Sequence, residues 1–346
     1  MEYTVTLQPS GHTYKCSPET EVLKAGLAAG LFMPYSCRAG VCNTCRGRVV
    51  QGSVNLGAVL DKYLSEEDRA KGYALLCQAT PRSDITVEVD EIEASGTIRP
   101  KFLPVRILEK RKLADDVMML RVGLPMTQPV IFRAGQYLEF LRPNGERRSY
   151  SIASAPTNEG LRQVELHVRH MPGGKFTEHV FGTMAEREVQ KVEIPLGSFF
   201  LRENSTKPIV MIASGTGFAP IQSILLDMMR RKIERPVTLY WGGRKRGDLY
   251  RSELCEQWAR ENASWFKYVP VLSEPTPQCR WEGRTGLVHR AVMDDLRDLS
   301  EHQVYACGTP AMVDAARHDF SAERRLPAAE FYADSFLTAK EKAATA

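Results

Sequence analysis

Hydrophobic and polar positions along this chain change their period twice. Residues 1–90 open on the alternating "YTVTL", run through an amphipathic helical stretch near 21–32 and close on "DITVEV", where Ile85, Val87 and Val89 alternate with polar neighbours. Between them "RVVQGSV" reads as a strand and "SEEDRAKG" as a short helix capped by Ser65, with Asp68 three residues on. This pattern predicts a small mixed α+β unit. Residues 102–203 carry short alternating runs ("PVRILEK", "VMMLRV", "GQYLEFL", "RSYSIAS", "VELHVRH") broken by turn residues such as "RPNG", which predicts an antiparallel barrel. From 208 onward "PIVMIAS", "PVTLYWGG", "FKYVPVL" and "QVYACG" are each followed by helical periodicity, as in a parallel sheet covered by helices on both faces. "EIEASGTIRP" has no period and reads as a linker. The expected domains are 1–92, 102–204 and 205–337, joined by a linker at 93–101 and followed by a frayed tail at 338–346.

Composition adds little to this picture until charge and cysteine are considered. The 346 residues suffice for two or three cores, and 43% hydrophobic with 25% charged is ordinary for a globular protein. Residues 1–94 hold 9 Lys+Arg against 12 Asp+Glu, whereas the remainder holds 37 against 30. An acidic module joined to a basic one suggests mutual docking or separate partners, and two ordinary solvated surfaces explain it equally well. No Lys/Arg run is interleaved with aromatics, so there is no case for nucleic acid. "MEYTVTLQPS" lacks the basic start and apolar run of a signal peptide, and "VLKAGLAAGLFM" is too short to span a bilayer. A cytoplasmic, non-membrane protein is expected. There, clustered cysteines bind metal or do redox work more often than they form disulfides.

The cysteines are clustered. "SCRAGVCNTC" (36–45) holds Cys37, Cys42 and Cys45 at x4 and x2 spacing, and Cys77 follows after 31 intervening residues. C-x4-C-x2-C…C is the spacing of a plant-type [2Fe–2S] site, in which two irons with bridging sulfides need four thiolates. Ala39 and Gly40 keep side chains away, so backbone N–H groups can face the sulfides. A structural zinc is the rival, but it usually shows two CxxC pairs or a histidine. No His lies between His12 and His167, which also excludes a Rieske pair here. Arg38, Arg46 and Arg48 flank the loop and would raise a cluster's potential or offer a basic rim to an acidic partner.

With these cysteines residues 1–90 resemble a plant-type ferredoxin domain. The whole chain to about 337 resembles the fused iron–sulfur flavoprotein reductases in which ferredoxin, FAD and NAD modules follow in that order. These include the reductase components of ring-hydroxylating dioxygenases, of multicomponent phenol and methane hydroxylases and of the CDP-6-deoxyglucoseen system. The resemblance implies a β-grasp ferredoxin domain, an antiparallel FAD-binding β-barrel and a parallel α/β NAD-binding domain. "RRSYS" looks like the family's R-x-Y-S motif, with Arg148 for the pyrophosphate, Tyr150 against the flavin and Ser151 near its N5 edge. In "HVRHMPGGKFTEHV", Val168 and Arg169 end a strand, and Gly173, Gly174 and Lys175 lead into a helix beginning near Thr177 that suits phosphate. His167, His170 and His179 read as surface or packing residues.

"SGTGFAP" is a Gly-rich turn between strand and helix, suited to a dinucleotide pyrophosphate though not the G-x-G-x-x-G fingerprint. It resembles the family's G-x-G-x-x-P loop, carried by Gly215, Gly217 and Pro220, with Thr216 between them. "YACGTPAMV" resembles the family's C-G motif and would put Cys307 and Gly308 beside the nicotinamide. In "FYADSF" Phe336 is the candidate aromatic to cover the flavin. Cys307 and Phe336 also have a plain reading as packing residues. At "YWGGRKRGDLY" no strand-end acid is evident and Arg244, Lys245 and Arg246 are present, which taken literally favours NADPH. The family resemblance favours NADH, and the choice stays open. The resemblance implies a monomeric enzyme that oxidises NAD(P)H, carries electrons through FAD to the [2Fe–2S] cluster and delivers them to a separate oxygenase, foremost a Rieske aromatic ring-hydroxylating dioxygenase. The alternative is reduction of a CDP-6-deoxyhexose dehydratase system. The chain has no Rieske or diiron pattern of its own, so the terminal chemistry lies elsewhere.

Overall fold

The computed structural model describes residues 1–92 and 98–336; the tail expected at 338–346 and the linker residues 93–97 lie outside the described residues. Two compact units are present, Met1–Arg99 with the stretch from Asp334, and Pro100–Ala333.

In the first unit β1 (Tyr3–Gln8), β2 (Thr13–Cys16), α1 (Val22–Ala28), β3 (Arg46–Gln51), β4 (Val54–Asn55), α2 (Glu66–Ala70), β5 (Tyr73–Leu75), β6 (Thr80–Pro81) and β7 (Ile85–Glu88) follow one another. The main sheet has the order β2-β1-β7-β3-β5, and its central pair β1/β7 is parallel. Alternation decides what is buried: Val5, Leu7, Ile85 and Val87 meet Val22, Leu23 and Met33 in one core. The helix expected over 21–32 is shorter than its periodicity, because Gly30 takes a φ of 85° and Leu31 folds its amide back to the carbonyl of Gly26. Ser65 caps α2 as expected, its Oγ accepting from the amide of Asp68 at 3.1 Å, a contact worth about 1 kcal/mol.

The second unit begins with β8 (Lys101–Ala114), β9 (Val117–Gly123), β10 (Tyr137–Leu141), β11 (Arg147–Ser151), β12 (Gln163–Arg169), α3 (Lys175–Phe181) and β13 (Val189–Leu196). These six strands form an antiparallel sheet in the order β11-β10-β13-β8-β9-β12. A bridge between Ile152 and Leu166 brings its two edges together into a barrel. The inward positions Leu120, Leu138, Phe140, Leu166 and Val168 fill it.

Then come β14 (Ile209–Ser214), α4 (Phe218–Arg231), β15 (Val237–Gly243), α5 (Ser252–Glu261), β16 (Phe266–Leu272), β17 (Arg284–Thr285), α6 (Val288–Asp295), β18 (Gln303–Gly308), α7 (Pro310–Arg324) and β19 (Phe331–Ser335). The sheet order is β17-β16-β15-β14-β18-β19, with β14 to β18 pairing in parallel. β14 and β18 are buried along nearly their whole length, as strands covered on both faces must be. The carboxyl ends of β14 and β18 lie side by side, Ala213 opposite Cys307. In an open parallel sheet this edge is where ligands bind.

Candidate functional site

The cysteine loop owes its shape to residues with positive φ: Arg38 at 53°, Gly40 at 74° and Asn43 at 57°. Such a run turns successive amides inward, and the amide of Ala39 reaches the Cys37 sulfur at 3.3 Å. Cys77 lies two residues past the end of β5, and β5 is bonded to β3, which follows Cys45. The four sulfurs lie close enough to act on one another. The Cys37 thiol is pushed up by its hydrogen bond with Cys42, then by burial, and Cys45 by its hydrogen bond with Cys77, then by burial. Cys42 moves the other way, to about 5, through hydrogen bonds from Cys37 and Thr44. Cys37 and Cys45 are therefore disfavoured as thiolates unless a cation balances them. Among the described residues no group of three His, Cys, Asp or Glu closes on a single metal ion. The x4 and x2 spacing within the loop, with Cys77 brought in by β5, suits two irons better than one zinc.

The arginines of the loop are less free than their sequence suggests. Arg46 pairs with Asp68 at 2.6 Å and lies over the Tyr73 ring, and Arg48 pairs with Glu88 at 2.9 Å. Acids from α2 and β7 thus offset the basic rim expected there.

In the barrel Tyr150 points to Phe140 and Phe176, with ring centroids 5.9 and 5.4 Å away. It ties β11 to the first turn of α3. Arg148 pairs with Glu146 at 2.8 Å, and Ser151 is buried at the strand end. α3 starts at Lys175, two residues earlier than expected. Thr177 is consequently inside the helix, where its hydroxyl donates toward the Met171 carbonyl at 3.0 Å and accepts from the Met171 amide at 3.1 Å. Gly173 has a φ of 76° and open space around it.

The nucleotide turn is built by close backbone approach. A Cβ on Gly217 would stand 2.5 Å from the Cys307 carbonyl carbon and 2.9 Å from Gly308 Cα. One on Gly308, at φ 149°, would strike the Ser214 hydroxyl, which accepts from the Thr309 amide at 3.1 Å. Arg169 lies against Gly215, since a Cβ there would meet its Nη1 at 2.7 Å, and also pairs with Asp116 at 2.8 Å. Gly215, Thr216, Gly217, Cys307, Gly308 and Arg169 are thus one constellation. Pro220, in the first turn of α4, is buried and needs no N–H there. Phe336 follows β19, half-buried, in the other unit.

The strand-end acid absent from the linear reading is Asp248. A 3₁₀ turn over Arg246–Asp248 returns its carboxylate to the end of β15, where it accepts from the amides of Arg244 (2.8 Å) and Lys245 (3.3 Å) and from Arg244 Nε (3.3 Å). Burial would raise its carboxyl, yet those amides and Arg169 lower it, so it stays ionised.

A second acid went unnoticed. Glu165 Oε1 accepts from His167 Nε2 and Arg251 Nη2, each at 2.9 Å. Burial alone would raise Glu165, but the bond from His167 and the charges of His167 and Arg251 bring it to about 2. His167 is lowered because burial outweighs the pull of Glu165. Both values fall below those of the unfolded chain, about 4.5 and 6.5. Unfolding therefore takes up protons, so the stability these groups contribute is complete above about pH 6.5 and is lost as pH falls, His167 first and Glu165 below about 4.5. The urea midpoint should drop between pH 7 and pH 5, and His167→Gln should flatten that drop. Parallel slopes in the two proteins would show that His167 is not held neutral.

A four-thiol loop, a barrel strand ending in a serine, and a glycine turn at the carboxyl edge of a parallel sheet define an iron–sulfur flavoprotein oxidoreductase of the NAD(P)H-dependent class. Residues 5–82 match the 2Fe-2S iron-sulfur cluster binding domain, 104–201 the oxidoreductase FAD-binding domain and 211–318 the oxidoreductase NAD-binding domain. The chain is 36% identical over 340 residues to the CDP-6-deoxy-L-threo-D-glycero-4-hexulose-3-dehydrase reductase of Yersinia pestis, covering 98% of this chain and 100% of that one. It is 33% identical over 342 residues to terephthalate 1,2-dioxygenase reductase component 1 of a Comamonas species, covering 98% of each. A crystal structure of an Amycolatopsis cytochrome P450 reductase matches with a TM-score of 0.76 at 34% identity, over 96% of this chain and 98% of that one. The chain belongs to the family of fused ferredoxin–FAD–NAD iron–sulfur flavoprotein reductases. No described helix is long and apolar enough to cross a membrane.

Proposed function

We propose that this protein is the reductase component of an oxygenase system, taking electrons from NADH and delivering them by way of FAD and the [2Fe–2S] centre to a separate Rieske aromatic ring-hydroxylating dioxygenase. The observation that carries the reading is the cysteine loop joined in one chain to a flavin barrel and a nucleotide sheet. A bound flavin accepts two electrons together and releases them singly, which is what a nicotinamide donor and a one-electron centre require.

The chain's own residues have the following roles in this reading. Cys37, Cys42, Cys45 and Cys77 hold the irons, and the amides of the loop face the sulfides. Arg148 leaves Glu146 to meet the flavin pyrophosphate, and the Ser151 hydroxyl sits at the reacting edge. Gly215–Gly217 offers bare amides to the coenzyme pyrophosphate, with Arg169 beside it, and Cys307 and Gly308 border the nicotinamide. Asp248 supports NADH over NADPH, because it already occupies the amides and the guanidinium that a 2′-phosphate would use. None of the eight cysteines is disulfide-bonded, which supports a reducing, cytoplasmic setting, and in this reading the protein works as a monomer.

A second reading, reduction of a dehydratase acting on a CDP-6-deoxyhexose, is favoured by the 36% identity to the Yersinia pestis reductase across both full lengths. Crosslinking the tagged protein in its native cells, followed by iron and pyridoxal analysis of the captured partner, separates the two. A Rieske protein is expected. A pyridoxamine enzyme would replace the first reading with the second, and neither would reject both.

A further inference from the structure

The oxidation of NADH needs the nucleotide turn and the flavin strand held at one distance, yet they lie on different sheets of the second unit. The contacts joining them are buried and polar. Glu165, on β12, binds the segment that follows Ser151: its carbonyl accepts from the Ala153 amide at 2.8 Å and its amide donates to Ser154 Oγ at 2.8 Å. Its carboxylate receives His167 from the barrel, Arg251 from the start of α5 and, at 3.5 Å, Gln222 Nε2 from α4. Gln222 also donates to the Ala153 carbonyl (3.1 Å), and Ser223 Oγ donates to that of Ser154 (2.6 Å).

A second line runs from the same carboxylate to the turn itself. An ionised Glu165 can only accept, so the neutral His167 ring donates from Nε2 and accepts the Tyr250 hydroxyl at Nδ1, 2.9 Å away. Tyr250 meets Trp241 edge-on at 5.1 Å. Trp241 stacks on Phe218 at 4.0 Å and donates its indole N–H to the Gly215 carbonyl at 3.1 Å. The strand end at 151–154 and the turn at 215–217 are therefore referred to one group.

We propose that Glu165 is a positioning residue for NADH oxidation, holding the Gly215–Gly217 turn in register with the strand end at Ser151 through His167, Tyr250, Trp241, Gln222 and Arg251. The inference rests on the assignment of those two segments to nicotinamide and flavin, and adds the device that spaces them. Misplacement by about an ångström is enough to slow such a reaction about 100-fold while leaving binding contacts intact.

Glu165→Gln keeps the side chain's shape but removes the negative charge that His167, Arg251 and Gln222 meet at Oε1. In anaerobic stopped-flow on the flavin-loaded enzyme, the limiting rate of flavin bleaching by NADH should fall by about 10- to 100-fold. The NADH dissociation constant should change less than about threefold, and the isotope effect with 4-deuterated NADH should rise. Tyr250→Phe removes one hydroxyl, should act in the same direction by about three- to tenfold, and remains readable if the first variant folds poorly. Hydrogen exchange on the protein without NADH gives an independent readout: amides at 152–154 and 215–218 should exchange faster together in Glu165→Gln. An unchanged limiting rate per bound flavin in both variants, or exchange raised equally throughout the second unit, would overturn the proposal. A wild-type protein whose flavin NADH does not bleach would reject the functional reading instead, and exchange would still decide whether Glu165 couples the two segments.

Discussion

Gly217→Ala should reduce NADH-driven ferricyanide reduction at least about 100-fold, a loss of about 2.7 kcal/mol in transition-state stabilisation. The reason is contact and not backbone freedom. Gly217 has an ordinary helical conformation, φ −57° and ψ −14°, that alanine adopts without cost. The added methyl carbon would instead fall on the backbone of Cys307 and Gly308, and neither can yield without moving β18. The turn must then lift away from the strand that borders the proposed nicotinamide site. Gly145→Ala, in the "RPNG" turn, is the matching control, because its φ of 82° carries a strain of about 1–2 kcal/mol but no atom lies within 4 Å of the new methyl. Flavin content should survive in both proteins. If Gly217→Ala oxidises NADH within threefold of wild type, the apposition of the turn and β18 is not what the reaction depends on.

Cys77→Ser should abolish the iron–sulfur absorption and the delivery of electrons to the protein partner, while NADH-driven ferricyanide reduction stays within about twofold. One of the four thiols is lost, and a serine hydroxyl, far less acidic than a thiol, is a poor replacement ligand for iron. The damage should stay local, since the first unit has its own core of residues between Val5 and Val89. Anaerobic reductive titration gives the count: about three electrons per chain in the wild type, two for flavin and one for the cluster, and about two in the variant. Loss of the ferricyanide reaction along with the cluster would show that the flavin half does not work alone.

Much of the molecule could be read along the chain because the signals are local. The x4 and x2 spacing of Cys37, Cys42 and Cys45 lies within one loop, and a bridging cluster accepts few other arrangements. The alternation in "DITVEV" and the buried run "PIVMIAS" reflect how many faces of each strand are covered, so they predicted the half-covered and the doubly covered sheets. Helix limits were less legible. α1 stops at Ala28 and α3 starts at Lys175 because of glycine turns and side-chain bonds that periodicity does not record.

What the sequence by itself determined is therefore the set of modules, their order and the chemistry of the thiol loop, all consequences of short-range spacing and side-chain period. Only the tertiary structure decided which charges remain free and which groups face one another. Asp68 and Glu88 neutralise Arg46 and Arg48 from 22 and 40 residues away. Asp248 folds back through a single turn to occupy Arg244, and Glu165 collects donors 57 and 86 residues downstream. A carboxylate's role depends on the donors within about 3 Å of it, and in a folded chain those come from elements that sequence separation does not rank.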